Sequence, residues 1–589
     1  MFTAEINSFT PLAYPDRVDA SGAAFTSSKA GEVSLLSKDH PGAQLPPLLR
    51  LSNDVLLIII EMVGTPKMHD LDALSRTCTH MHGLCKPYIF RECSLGLYYA
   101  ITLDTLERLP PSCVWPHIRY LRLRNACAHK ELLLVGSWGP ITYPKGPIEY
   151  TPNPELGIMY DGLLTHSILR NMQSLQSICL YTGRDNVSDI SLAALEGILS
   201  IPHLRKFKMV NHVIFWPGSD DVHVADTQPL PTQASDEGLA PLTSFVYEVG
   251  MAGVPPGYPA DFASQALSTI LRRLAPSLST LRLPSIYAPF DTLIETHWPL
   301  LRELTIQGEH QSDTPSSPFI ALSFVNMPNL RALNLELTHR GILWPVGHAA
   351  PFPWPVLEHL TLSHPSPDDY IFSHLPPSIR SLSLHSWPTQ SYDNYRKNGQ
   401  MSMSAWQRLR KAPPLPSSTM LRVLRACSDV AGHLACLHVE YLVDADEDAL
   451  LQFITSAFPS LTELEVHRAR PEDTSAEPSW KLETLGSACA ALKQLRSLYV
   501  HADLRDYPDA IRIPRRARYF VDEQHEWYAT NKLLDEATAL ACMLAPSVRT
   551  IAFLTPDNAW PRWAIYSVHT VGDGKERVAQ YLEHREARR

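Results

Sequence analysis

The chain has 589 residues, more than one compact core usually serves, so two or more units or one elongated array are expected. Its formal net charge of -10 argues against bulk affinity for nucleic acid or an anionic membrane, and its 10 scattered cysteines fit a reducing compartment. The 50 prolines against 26 glycines suit an array with a recurring proline. The longest apolar run, "VLLIIIEMV" from Val55 to Val63, is interrupted by Glu61 and falls short of the ~18 residues of a membrane span. The start carries Glu5 and Asp16 and no basic-then-apolar segment, so no signal peptide is read there and a cytoplasmic or nuclear location is expected.

Residues 1–44 are rich in Ser, Ala, Thr, Gly and Pro without an apolar period, and are expected to be a disordered lead-in. Next comes "LSRTCTHMHGLCKPYIF", Leu74 to Phe90. On one continuous helix, Cys78, His82 and Cys85 fall at i, i+4 and i+7, on one face. That spacing suits a metal. Yet Leu71, Leu74 and Met81 share much of that side, and no C-x-x-C or second cluster completes a tetrahedral set. A packed helix is expected, with no metal and no cofactor.

Farther along, a proline stands two residues before an apolar-x-x-apolar-x-apolar pattern in copy after copy. The copies are "PHIRYLRL" from Pro116, "PHLRKFKM" from Pro202, "PSLSTLRL" from Pro276, "PLLRELTI" from Pro299 and "PNLRALNL" from Pro328. "PVLEHLTL" from Pro355, "PSIRSLSL" from Pro377, "PSLTELEV" from Pro459 and "PSVRTIAF" from Pro546 follow. "LQSICL" at Leu175, "LACLHV" at Leu434 and "LRSLYV" at Leu495 keep the pattern without the proline. The alternating end of each copy predicts a short strand with one buried face. Helical spacing precedes several copies in segments that open at Asp161, Asp261 and Asp448, read as helix caps. The proline, unable to continue a helix, punctuates the helix-to-strand turn. No copy buries its own leucines alone, so the copies must stack. Polar, breaker-rich stretches near 217–241 and 387–419 read as inserted loops, and "VGDGKERV" near Val571 as a turn before a final helix or tail, 571–589.

The copies starting at Leu278, Leu301, Leu330, Leu357 and Ile379 give a period of ~20–29 residues, which resembles the leucine-rich repeat. That resemblance implies an α/β fold over residues 96–570: a curved solenoid with parallel strands on its concave face. Upstream, residues 45–95 resemble an F-box domain. The residues that carry this are Leu51, Asp54, Val55, Leu56 and Ile59, then Leu71, Leu74, Ser75 and Cys78, then Pro87, Phe90, Arg91, Ser94 and Leu95. Ser52 stands where the family has proline, a departure that bears on adaptor binding. An N-terminal three-helix F-box followed by leucine-rich repeats is itself a family architecture, and the proline-bearing repeat is similar to that of large fungal F-box families.

The resemblance implies a substrate receptor of a Skp-cullin-F-box type ubiquitin ligase. Its partners would be a Skp-type adaptor, through it a cullin-RING ligase, and a protein substrate, with neither nucleic acid nor membrane. The adaptor would meet Leu51, Asp54, Val55, Leu56, Ile59, Leu71, Leu74 and Cys78. The substrate would meet the x positions of the strands, which point away from the buried leucines. Early copies place Tyr120, Arg122, Arg124, Lys206, Lys208 and Arg282 there, and later copies Glu303, Glu336, Glu440, Glu463 and Glu465, with His438, His467 and His501. The expected surface is basic toward the F-box and acidic toward the far half. No G-x-S-x-G, H-E-x-x-H, P-loop or Rossmann glycine fingerprint occurs, so no catalytic residue and no enzyme activity are expected. The alternative is a cullin-independent repeat scaffold that binds proteins.

Overall fold

A computed structural model describes residues 47–64, 68–97, 110–125, 168–182, 188–210, 212–215, 238–249, 260–308, 324–338, 344, 352–387, 413–469, 482–501, 526–555, 562–571 and 576–586. The 1–44 lead-in and most of both expected insertions lie outside the described residues. The chain divides between Ile60 and Glu61 into two units. Among the described residues the fold is mixed α/β, built on one large, mostly parallel, open sheet of 17 strands.

Three helices come first: α1 (Asn53–Gly64), α2 (Met68–Ser75) and α3 (Thr79–Ile89). The helix expected across Leu74 to Phe90 is broken. Ser75 Oγ donates to the Asp72 carbonyl and Thr77 Oγ1 to the Leu74 carbonyl, both at 2.8 Å, and these local bonds compete with helix continuation. Cys78 is extended (φ -162, ψ 165) and caps α3, its Sγ accepting from Met81 N–H at 3.5 Å. Cys78 therefore does not share a helical face with His82 and Cys85. α2 packs on α3, and α3 runs into the sheet.

The sheet begins with β1 (Glu92–Leu97), β2 (Tyr120–Asn125) and β3 (Ser177–Thr182). β4 (Ser188–Ser191) and β6 (His212–Phe215) pair separately, flanking β5 (Lys206–Val210) in the chain. The main sheet continues with β7 (Ser244–Glu248), β8 (Thr280–Pro284), β9 (Glu303–Gly308), β10 (Ala332–Leu337), β11 (His359–Ser363) and β12 (Ser381–His385). It then takes the two-residue β13 (Leu415–Pro416), β14 (Cys436–Leu442), β15 (Glu463–Ala469), β16 (Ser497–His501) and β17 (Thr550–Thr555). From β2 to β17 each copy pairs in parallel with the next at the same position. Leu121 faces Ile178, then Phe207, Phe245, Leu281, Leu304, Leu333 and Leu360 in turn. Leu382, Leu437, Leu464, Leu498 and Ile551 complete the row. Every member is at most 2% exposed. The recurring proline has a specific job at the entry to these strands. In Ile201–Leu204, Met327–Leu330, Trp354–Leu357 and Phe458–Leu461 the N–H of the last residue bonds the carbonyl three back. Proline is the second residue of each such turn, where its fixed φ suits the turn.

Helices lie on the leucine side: α4 (Ile168–Asn171), α5 (Leu192–Leu199), α6 (Ala260–Leu274), α7 (Phe290–Glu295), α8 (Ser417–Ala426), α9 (Glu447–Ala457), α10 (Leu482–Cys489) and α11 (Lys532–Met543). α6 buries Ala263, Ala266, Leu267, Ile270, Leu271 and Leu274, the stripe of an amphipathic helix. Asp261 and Asp448 are not caps as expected. They sit inside the first turns of α6 and α9, where their charge favours the helix N-terminus. Asp161 lies outside the described residues. α8, α9, α10 and α11 pack in succession, and α11 comes close enough to α10 that a Cβ on Gly486 would meet Met543 Cε at 2.7 Å.

The expected C-terminal helix is a strand. β18 (Arg562–Val571) and β19 (Glu576–Glu586) form an antiparallel hairpin on β17. Strand alternation wins there because Ala579 and Tyr581 meet the core while Gln580 and Leu582 stay in solvent. Arg577 pins the hairpin by donating to the carbonyls of Ala541, Leu544, Ala545 and Val548 at the end of α11. The hairpin extends the parallel array past β17.

Candidate functional site

α1 starts at Ser52, the position where proline was expected. Val55 N–H donates to Ser52 Oγ at 3.4 Å and Leu56 N–H to the Ser52 carbonyl at 3.0 Å, so serine caps the helix. Two opposite sides of α1 are apolar. Leu56 and Ile60 are fully buried. Val55, Ile58 and Met62, at i, i+3 and i+7, are 41%, 59% and 70% exposed, and Leu48 and Leu51 are exposed in the turn before. Of the expected adaptor contacts, Leu51, Asp54 and Val55 are in solvent and Ile59 is half-buried. Leu56 belongs to the interior, as does Leu71 of α2. Leu74 and Cys78 are half-buried. Ile58 and Met62 were missed, although the spacing from Val55 marks them.

The second candidate surface is the sheet face opposite the leucine row. Register lines up its x positions across the stack. Arg122 faces Cys179, then Lys208, Val246, Arg282 and Thr305. The same row passes through Asn334, Thr361 and Ser383 to His438, Glu465 and Tyr499. Tyr120, Lys206, Glu303 and Glu463 share the preceding row, and Arg124, Glu440, His467 and His501 the following one. The named residues fall on these rows, with two changes to the expected charge pattern. Glu248, missed from the sequence, pairs with Lys208 at 2.9 Å and Arg282 at 3.1 Å, which offsets one charge of the basic stretch. Arg282 also donates to Gln307 Oε1 at 2.6 Å. Glu440 is only 2% exposed and is not presented to a partner, because Ser386 N–H and Oγ hold its Oε2 at 2.6 and 2.5 Å. Glu336 is half-buried on β10.

On β14 to β16 the face becomes a network of carboxylates and imidazoles. His438 Nε2 stands 3.2 Å from Glu463 Oε1 and 3.8 Å from Glu465 Oε2, and His467 Nε2 stands 2.6 Å from Glu465 Oε1. Burial disfavours the charge on Glu465, yet the His438, His467 and His385 charges and the His467 hydrogen bond outweigh it and hold its pKa at about 2. Burial, helped by the neighbouring His467 charge, pushes His501 down to about 3. The His467 and His501 rings are 5.6 Å apart, and Trp563 of β18 meets His467 and Tyr499 edge-on at 5.8 and 5.2 Å. Beyond β16 the polar face ends. Ala552, Leu554, Trp563 and Ile565 form a second buried apolar cluster there, with Tyr499 against it.

Among the described residues, no group of three or more His, Cys, Asp or Glu side chains is arranged to hold a metal ion, and the described cysteines are free thiols. No described helix is long and apolar enough to cross a membrane. A scan of the chain against protein-family models finds no match, and a search of curated proteins finds no similar sequence.

Proposed function

We propose that the chain is the substrate-recognition subunit of a Skp-cullin-F-box type ubiquitin ligase, its first three helices an F-box and its stacked copies a curved leucine-rich-repeat solenoid. The F-box would dock on a Skp-type adaptor and the concave sheet face would hold a protein substrate. The receptor would do no chemistry; it would raise effective concentration and fix orientation. One observation carries the reading. Val55, Ile58 and Met62 are exposed along a helix whose other side, Leu56 and Ile60, is fully buried. A stripe of large apolar side chains left in solvent on a well-formed helix suits a partner groove. The serine cap supports the same reading, since it starts α1 without the family's proline.

The test is co-expression of the full chain with a Skp-type adaptor, comparing wild type with a Val55→Asp, Ile58→Asp double variant. Co-purification of the wild type and its loss in the variant, with unchanged circular dichroism, is the expected result. A wild-type chain that never co-purifies overturns the receptor reading and leaves the cullin-independent scaffold.

A further inference from the structure

The polar sheet face changes character along its length, and the change is sharpest in its cations. On β12, β14, β15 and β16 the three outward rows contain no Lys or Arg at all. Arg380 and Arg496 stand at the strand entries, before these rows, and Arg380 is engaged with the His433 carbonyl at 3.3 Å. Arg468 lies on the leucine side, bound to Glu447 at 2.7 and 3.0 Å. Among the described residues, the counter-groups of the two outward carboxylates are imidazoles: His438 for Glu463, and His438 with His467 for Glu465. Glu463 and Glu465 keep 33% and 22% of their side-chain surface in solvent, unlike Glu440, which Ser386 encloses. His467 Nδ1 is buried without a hydrogen-bond partner, so the network is not closed on itself. Tyr499 extends the row beside Glu465 with a half-buried ring, a surface on which a cation can lie.

We propose that this carboxylate–imidazole stretch of the sheet face is the docking surface for a lysine- and arginine-rich segment of the bound protein, and that its histidines make the docking weaken on acidification. The inference rests on the proposed substrate-holding role of this face and names the substrate class. With neutral imidazoles the stretch is an anionic strip and attracts a basic chain. Imidazoles as a class gain charge between pH 8 and 5, so acid replaces the partner's cations with the protein's own. Glu465 remains a carboxylate throughout, held at about 2, and His501, held at about 3, stays neutral. His438 and His467 are the imidazoles in contact with the carboxylates of the strip, and His385 lies at its β12 edge.

The experiment is fluorescence anisotropy with the full chain and two labelled peptides of equal length, one carrying six Lys and Arg, the other the same positions as Glu. At pH 7.5 the basic peptide should bind at least about tenfold tighter, and the double variant Glu463→Gln, Glu465→Gln should remove most of that preference. A control variant, Asp535→Asn with Glu536→Gln on the exposed side of α11, removes the same net charge elsewhere and should change binding less than about twofold. Lowering the pH to 5.5 should weaken the wild type about tenfold, and His438→Gln with His467→Gln should abolish that dependence while keeping binding at pH 7.5. Equal binding of both peptides, or equal losses in the site and control variants, overturns the docking surface. Acid weakening that persists in the histidine variant overturns the switch. Adaptor co-purification is read on the same proteins: if it holds while the peptide preference is absent, only this inference fails, and the converse fails only the receptor reading.

Discussion

Thirteen aligned apolar residues from Leu121 to Ile551 are all at most 2% exposed, whereas on α1 the apolar residues divide, Leu56 and Ile60 inside and Val55, Ile58 and Met62 out. The side chains are of one kind; the surroundings differ. In the sheet each copy is covered by the copy before and the copy after, so alternation alone decides burial. On the twelve-residue α1 one apolar side is buried and the other stays in solvent. Apolar excess over what the fold can cover is therefore a better pointer to a partner than apolar content.

The largest expected effect lies in the row. Leu333 is fully buried between Leu304 and Leu360. Leu333→Ala should cost about 2–5 kcal/mol in chemical denaturation, from lost transfer free energy and the cavity left behind. A cost below about 1 kcal/mol would mean that the stack relaxes freely around a missing leucine and would remove the contrast with α1.

How much of this was open to reading follows from range. The strands were legible because two-residue alternation and the turn proline lie within eight consecutive residues, as in "PNLRALNL". The break at Cys78 was not, because it depends on Ser75 and Thr77 choosing local carbonyls over the helix, a near balance of small terms. The final hairpin was misread because "RVAQYL" fits both periods, and Arg577 decides the matter through carbonyls 29 to 36 residues away. The site was half legible for the same reason. Each x position was assigned its face correctly from one copy, but the enclosure of Glu440 by Ser386, 54 residues earlier, and the pairing of Glu248 with Lys208 and Arg282 belong to neighbouring copies. On α1 the apolar positions were visible, but which side would be covered was not.

A middle-sized effect should come from the other face of the stack, at His501. Its folded-state pKa, about 3, lies below the ordinary 6.5, so the unfolded chain takes up the proton first. Stability from this group is full above pH 6.5 and is lost as pH falls toward 3. Between pH 6.5 and 5 the wild type should lose up to about 1 kcal/mol per pH unit, and His501→Gln should flatten that slope. Glu465 does not confuse the window, because its contribution is lost only as pH falls from its ordinary 4.5 toward about 2. Denaturation midpoints at three pH values decide it; an equal slope in both proteins would show that the buried imidazole is not the origin.

The smallest expected effect on stability is the one that bears most on the proposed docking. Ile58 is 59% exposed on α1, so Ile58→Ser removes apolar area that folding never covered. The change should stay within about 0.5 kcal/mol, the usual range for a surface substitution, since isoleucine and serine have similar helix propensities. The same substitution should weaken adaptor co-purification, since a partner groove would lose an isoleucine. A fully buried Leu333 and an exposed Ile58 would then answer opposite assays: one truncation lowers stability, and the other leaves stability and lowers association. If Ile58→Ser instead cost more than about 2 kcal/mol, the stripe would be part of the protein's own interior in solution, and its exposure could no longer carry a partner.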